Sequence, residues 1–134
     1  MSFLRVRRTP TYQTKRIPVA PDGIVVQWKD SPPLPCLTIY VGELLGRELG
    51  IGGSTDRAIM FIGVGPDAGK CALQFVTGRD WDYRVQRHPL GYKVHLPSNV
   101  SVENFDFCKR TAIPAHSIEI RGDRLIFAYE GIKQ

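Results

Sequence analysis

The alternation of apolar and polar positions is clearest at Leu37-Thr38-Ile39-Tyr40-Val41, where Leu37, Ile39 and Val41 repeat at the period of two that a half-buried strand requires. Gly42 breaks the strand. Glu43-Leu44-Leu45-Gly46-Arg47-Glu48-Leu49 then sets Leu44, Leu45 and Leu49 at near-helical spacing, and Gly50 follows where a helix C-terminus favours a residue tolerant of positive φ. Beyond a polar loop, 58–64 and 71–76 are apolar runs of strand length. Gly65-Pro66-Asp67-Ala68-Gly69-Lys70 between them is rich in turn formers, so the two runs predict a β-hairpin.

The same order restarts at Gly91. Tyr92-Lys93-Val94-His95-Leu96 alternates and stops at Pro97. Residues 98–107 stand where the short helix stood, but their Ser, Asn and β-branched content argues against a helix. Ser117-Ile118-Glu119-Ile120 and 124–129 close a tighter hairpin through Arg121-Gly122-Asp123. The pattern predicts a mainly β fold, a small barrel-like pseudo-dimer of two strand-helix-hairpin repeats, 37–76 and 92–131, within one β domain over 37–134. Interleaving the copies would remove sheet edges and bury Ile59, Phe61, Leu73, Phe75, Ile118, Ile120, Leu125 and Phe127 together.

A strand, a Gly or Pro, a short helix ending Leu-Gly-Ile and then a hairpin resembles the AbrB/MazE-type swapped-hairpin domain. Gly42, followed after six residues by Leu49-Gly50-Ile51, carries that likeness in the first half, and Gly91-Tyr92-Lys93-Val94-His95-Leu96-Pro97 carries it in the second. Gly42 stands where the family has proline, and Phe105 and Phe107 replace Leu-Gly-Ile in the second half. The resemblance implies a DNA-binding regulator, with Arg87 and Lys93 best placed to match the basic residues by which such domains contact DNA.

Charge changes the picture at the N-terminus. The chain of 134 residues carries a net +5, and 1–36 contribute +4 of it through Arg5, Arg7, Arg8, Lys15, Arg16 and Lys29 against Asp22 and Asp30. Residues 1–36 therefore read as a basic arm with Pro10, Pro18 and Pro21, extended or disordered when free, with 24–28 composed like one added strand. Arg5, Arg7, Arg8, Lys15 and Arg16 are candidate phosphate contacts, and Arg84, Arg87, His88 and Lys93 form a second basic group in what reads as an inter-repeat loop, with Asp80 and Asp82 close by. The function expected is a non-enzymatic regulator that binds double-stranded DNA through the arm and this loop. The competing reading is a structural or assembly protein, such as a virion component, whose arm docks on neighbouring subunits to form a homo-oligomer or larger assembly.

Other chemistry is not supported. Gly63-Val64-Gly65-Pro66-Asp67-Ala68-Gly69-Lys70-Cys71 falls short of a phosphate loop, because Val64 occupies the first glycine position and Cys71 the hydroxyl position. His88, His95 and His116 are scattered and none of Cys36, Cys71 and Cys108 lies in a CxxC pair, so no catalytic residue, metal ligand or cofactor is expected. The odd cysteine count fits a reduced cytoplasmic setting, or a host cytoplasm or virion, with thiols as core fillers. No apolar run reaches membrane-spanning length.

Overall fold

The computed structural model describes residues 3–4, 18–29, 36–51, 56–106 and 110–132. Strand β1 (Ile24–Lys29) precedes β2 (Cys36–Gly42), helix α1 (Glu43–Glu48), and the hairpin of β3 (Arg57–Ile62) and β4 (Lys70–Val76). Strands β5 (Tyr83–His88) and β6 (Gly91–Leu96) follow, then helix α2 (Ser98–Asn104), the two-residue β7 (Thr111–Ala112), and the hairpin of β8 (Ile118–Arg121) and β9 (Arg124–Ala128). These strands form one sheet in the order β7-β1-β2-β6-β5-β3-β4-β9-β8, every pairing antiparallel, and the sheet curls into a half-barrel. Among the described residues no helix is long and apolar enough to cross a membrane.

The core is the inner face of the curl. Alternation turns Leu37, Ile39 and Val41 of β2 and Val94 and Leu96 of β6 inward, where they meet Ile24 and Val26 of β1 and Leu73, Leu125 and Phe127 from the far half of the sheet. All are essentially solvent-free. Helix α1 closes one end over Tyr92, which is possible because Gly46 has no side chain: a Cβ there would lie 2.1 Å from the Tyr92 ring. The helix stops at Gly50, whose φ of +72° is the conformation expected of it.

Three local expectations are corrected. Residues 98–104 are helical in spite of weak propensity, because Ser101 gains partners outside its own turn. Its hydroxyl, fully buried, lies 3.0 Å from the Leu96 and Pro97 carbonyls as donor and accepts the Leu37 N–H at 2.9 Å. Tertiary hydrogen bonding overrides propensity here. The segment holding Arg84, Arg87 and Lys93 is not a loop but the hairpin β5–β6, turning at Pro89 and Leu90. Finally, β3 sits one residue away from the expected parity. Ala58, Met60 and Ile62 pair with Phe75, Leu73 and Cys71 and share their inward face, leaving Ile59 and Phe61 outside while Leu73, Phe75, Leu125 and Phe127 are buried as expected. A strand apolar on both faces lets cross-strand register decide which set is buried. Ile118 and Ile120 pack at the margin of the core.

Removing the Ser101 hydroxyl would leave the buried Leu37 N–H without its partner. Ser101→Ala is expected to lower stability by about 1–3 kcal/mol in urea unfolding, a cost set by the unsatisfied donor and not by lost volume. Cys71 is buried, and burial pushes its thiol far above the usual range, so it stays protonated in the folded state. Alkylation mapped by mass spectrometry at pH 8 is expected to modify the partly exposed Cys36 well before Cys71, which should react only once urea opens the fold.

Candidate nucleic-acid interface

Strands β7, β1, β2, β6 and β5 contain no Asp or Glu, an unusual composition for sheet whose outer face meets water. Most of their inward positions are taken by the core, so Gln27, Thr38, Arg84, Gln86, Lys93 and His95 fall together on the outer side. Register then aligns them. Val25 lies opposite Tyr40 and Tyr40 opposite Lys93; Gln27 lies opposite Thr38 and Thr38 opposite His95; Lys93 in turn lies opposite Gln86.

Tyr40 is the base of this face. Its ring is 5% exposed, packed with Val19 and Val25 in a small cluster on the outside of the sheet. The Arg110 guanidinium lies 4.8 Å from the ring centroid and donates to Gln27 Oε1 at 2.5 Å, while the His88 ring meets Tyr40 edge-on at 5.0 Å. His88 Nδ1 accepts the Leu90 N–H at 3.2 Å, which assigns the ring proton of the neutral form to Nε2, and His95 Nδ1 sits 3.2 Å from the Thr38 hydroxyl. Three basic side chains, Arg84, Lys93 and Arg110, therefore share one surface with two histidines and two glutamines. Each cation–ring contact contributes on the order of 0.5–1 kcal/mol and holds a flexible side chain in place.

Arg84 also has Arg57 directly across the β3–β5 pairing, where like charges would repel. Asp56 takes the Arg57 guanidinium at 2.5 Å and the Trp81 ring lies 4.9 Å below it, so the strain of that pairing is relieved from the β3 side. Asp82 lies at the same end, where desolvation and then its charge raise the Tyr83 phenol pKa.

Of the expected site residues, Arg84 and Lys93 come together on this face. Arg87 does not. It shares the parity of the buried Val85, and at the strand end its guanidinium stacks 4.9 Å from the Tyr92 ring near α1, on the other side of the sheet. Arg5, Arg7, Arg8, Lys15 and Arg16 lie outside the described residues. Sequence reasoning missed Arg110 and Gln27, because their contact spans 83 positions and depends on the two-residue β7 pairing with β1, which no local pattern marks.

Comparison with protein-family models, with curated proteins and with solved structures finds no match for the chain. The reading of this face rests on its own geometry.

Tyr40 is the scaffold of that geometry. Tyr40→Ala is expected to lower stability by about 3–5 kcal/mol, as for loss of a buried aromatic, whereas Tyr40→Phe should stay within about 1.5 kcal/mol because the ring that Arg110 and His88 touch is retained. Chemical denaturation of the two variants checks both figures.

Proposed function

We propose that the chain is a non-enzymatic DNA-binding regulator of AbrB-like type that grips duplex phosphates through the outer face of β1, β2, β6 and β5, with the basic arm as a second contact. The observation that carries this reading is that Arg84 and Lys93 share the outer face of the acid-free strands β5 and β6, with Tyr40 opposite Lys93 and Arg110 over the Tyr40 ring. A sheet face of this kind offers cations at fixed spacing together with Gln and His donors. That suits backbone contact first and limited base selection second.

The associated fold proposal is an internal duplication, in which β2–α1–β3–β4 and β6–α2–β8–β9 are two copies related by a pseudo-two-fold. Three features support it: β2 pairs with β6, β4 pairs with β9, and each of β2 and β6 runs directly into a short helix before a hairpin follows. In this reading β7 and β8 together stand for β3, since β7 pairs with β1 as the start of β3 pairs with β5. One polypeptide would thereby supply both halves of a swapped-hairpin dimer.

A salt titration of binding to mixed-sequence duplex tests the function. Three phosphate contacts from the sheet face give a slope of log K against log salt near −2.7, roughly a 40-fold loss between about 50 and 200 mM salt, and the arm would make it steeper. Lys93→Glu with Arg84→Glu is expected to flatten the slope by about two units, while Arg87→Glu should change it least of the three. No retardation of duplex at low salt would sink the proposal and leave the assembly reading in its place.

A further inference from the structure

The outer face of the other half of the sheet is built on a different plan. Strand β3 reads Ala58-Ile59-Met60-Phe61-Ile62 and β9 reads Leu125-Ile126-Phe127-Ala128, apolar on both faces, the composition of strands covered on both sides. Their inner sides form the core. Their outer sides carry Ile59, Phe61, Ile126 and Ala128, and cross-strand register places Phe61 opposite Ala72 of β4 and Ala72 opposite Ile126, an apolar row across three adjacent strands. Phe61 is 36% exposed and Val64, at the hairpin end, 79%. A shallow cleft of about 240 Å³ lies along this row.

The rim of the row identifies its occupant. Lys70, Arg121 and Arg124 stand around it with Asp67, Glu119 and Asp123, three charges of each sign. Arg124 caps the Phe61 ring at 4.4 Å, Arg121 pairs with Glu119 at 2.9 Å, Lys70 lies 3.8 Å from Asp67, and Asp123 accepts from Gln74 at 2.9 Å. These pairs are at the surface and worth little as they stand, so they can exchange partners at small cost. A rim without net charge offers nothing to nucleic acid or to a strongly charged partner. Balanced signs around an apolar centre are self-complementary, the requirement of an isologous contact in which the same patch is used twice.

We propose that this face is where two copies of the chain pair about a two-fold axis, the Phe61-Ala72-Ile126 row of one packing on that of the other and the rim charges forming ion pairs between copies. The surface shares no residue with the basic face, so the inference does not depend on DNA binding. Sedimentation equilibrium on the full chain is expected to show a concentration-dependent rise to twice the chain mass of 15.1 kDa. Phe61→Glu is expected to raise the dimer dissociation constant by at least about thirtyfold, as for a central contact residue. Ala72→Arg, on a different strand of the same row, should do likewise and covers the case in which the first variant fails to fold. Lys93→Glu, on the basic face, should leave the dimer intact. A single-chain mass at every concentration would overturn the proposal and leave the row to an unlike partner. Dimers unaffected by both row variants, or lost equally with Lys93→Glu, would overturn it too.

Discussion

The antiparallel ladder between β2 and β6 is the constraint on which the rest of the molecule turns. It runs from Leu37 opposite Leu96 to Gly42 opposite Gly91, and its register decides both the core and the candidate interface at once. Inward lie Leu37, Ile39, Val41, Val94 and Leu96; outward lie Thr38, Tyr40, Lys93 and His95. A slip of one residue in either strand would carry Lys93 and His95 into the core or Ile39 and Val94 into water, and the burial of an unpaired ammonium alone forbids it. Each end of the ladder is also clamped by a helix. Ser101 of α2 holds the Leu37 N–H at one end, while at the other α1 presses Gly46 against Tyr92. The two short helices therefore act less as packing layers than as stops on a sliding pair.

Fixing that register has an electrostatic consequence. Arg84 and Lys93 share the outer side of the acid-free strands while Arg87 takes the parity of the core, and the repulsion among the sheet's cations is relieved locally. Aromatic rings do much of this: Tyr40 under Arg110, Trp81 under Arg57 and Tyr92 under Arg87 each present a negative π face to a guanidinium. Gln27 and Asp56 supply the remaining polar partners. On the Tyr40 side, Arg110 is held between an aromatic ring and the Gln27 amide. The half of the sheet around Phe61 reaches the opposite balance, with Glu119 and Asp67 neutralising Arg121 and Lys70.

How much of this was legible depended on how local the deciding interaction is. Strand β2, helix α1 and the hairpins β3–β4 and β8–β9 follow from short-range periodicity and turn chemistry, and all were readable within a residue or two of their bounds. Helix α2 was not, because what stabilises it is a buried serine bonded to a strand 64 positions away. Strand β5 reads as a loop in sequence since Tyr83-Arg84-Val85-Gln86-Arg87-His88 has one buried apolar residue beside three charged or amide side chains and a histidine, a pattern that owes its strand state to pairing with β6. The parity of β3 was undecidable from composition, since either of its faces could serve as the core. Arg84 and Lys93 were legible as a basic group, but their separation from Arg87 follows only from strand alternation within the hairpin.

The two outer surfaces take on a common logic under the proposed duplication. The pseudo-two-fold of that proposal would pass between β2 and β6 and again between β4 and β9, two pairs that are antiparallel neighbours in the sheet. Tyr40 opposite Lys93 sits at the first seam, and Ala72 opposite Ile126 sits at the second. One seam carries cations beside an aromatic base and the other an apolar row, and in the sheet the strands β5 and β3 lie between the two. Occupation of the apolar seam by a second copy would leave both basic seams of the resulting pair accessible, so self-association and phosphate binding compete for no residue.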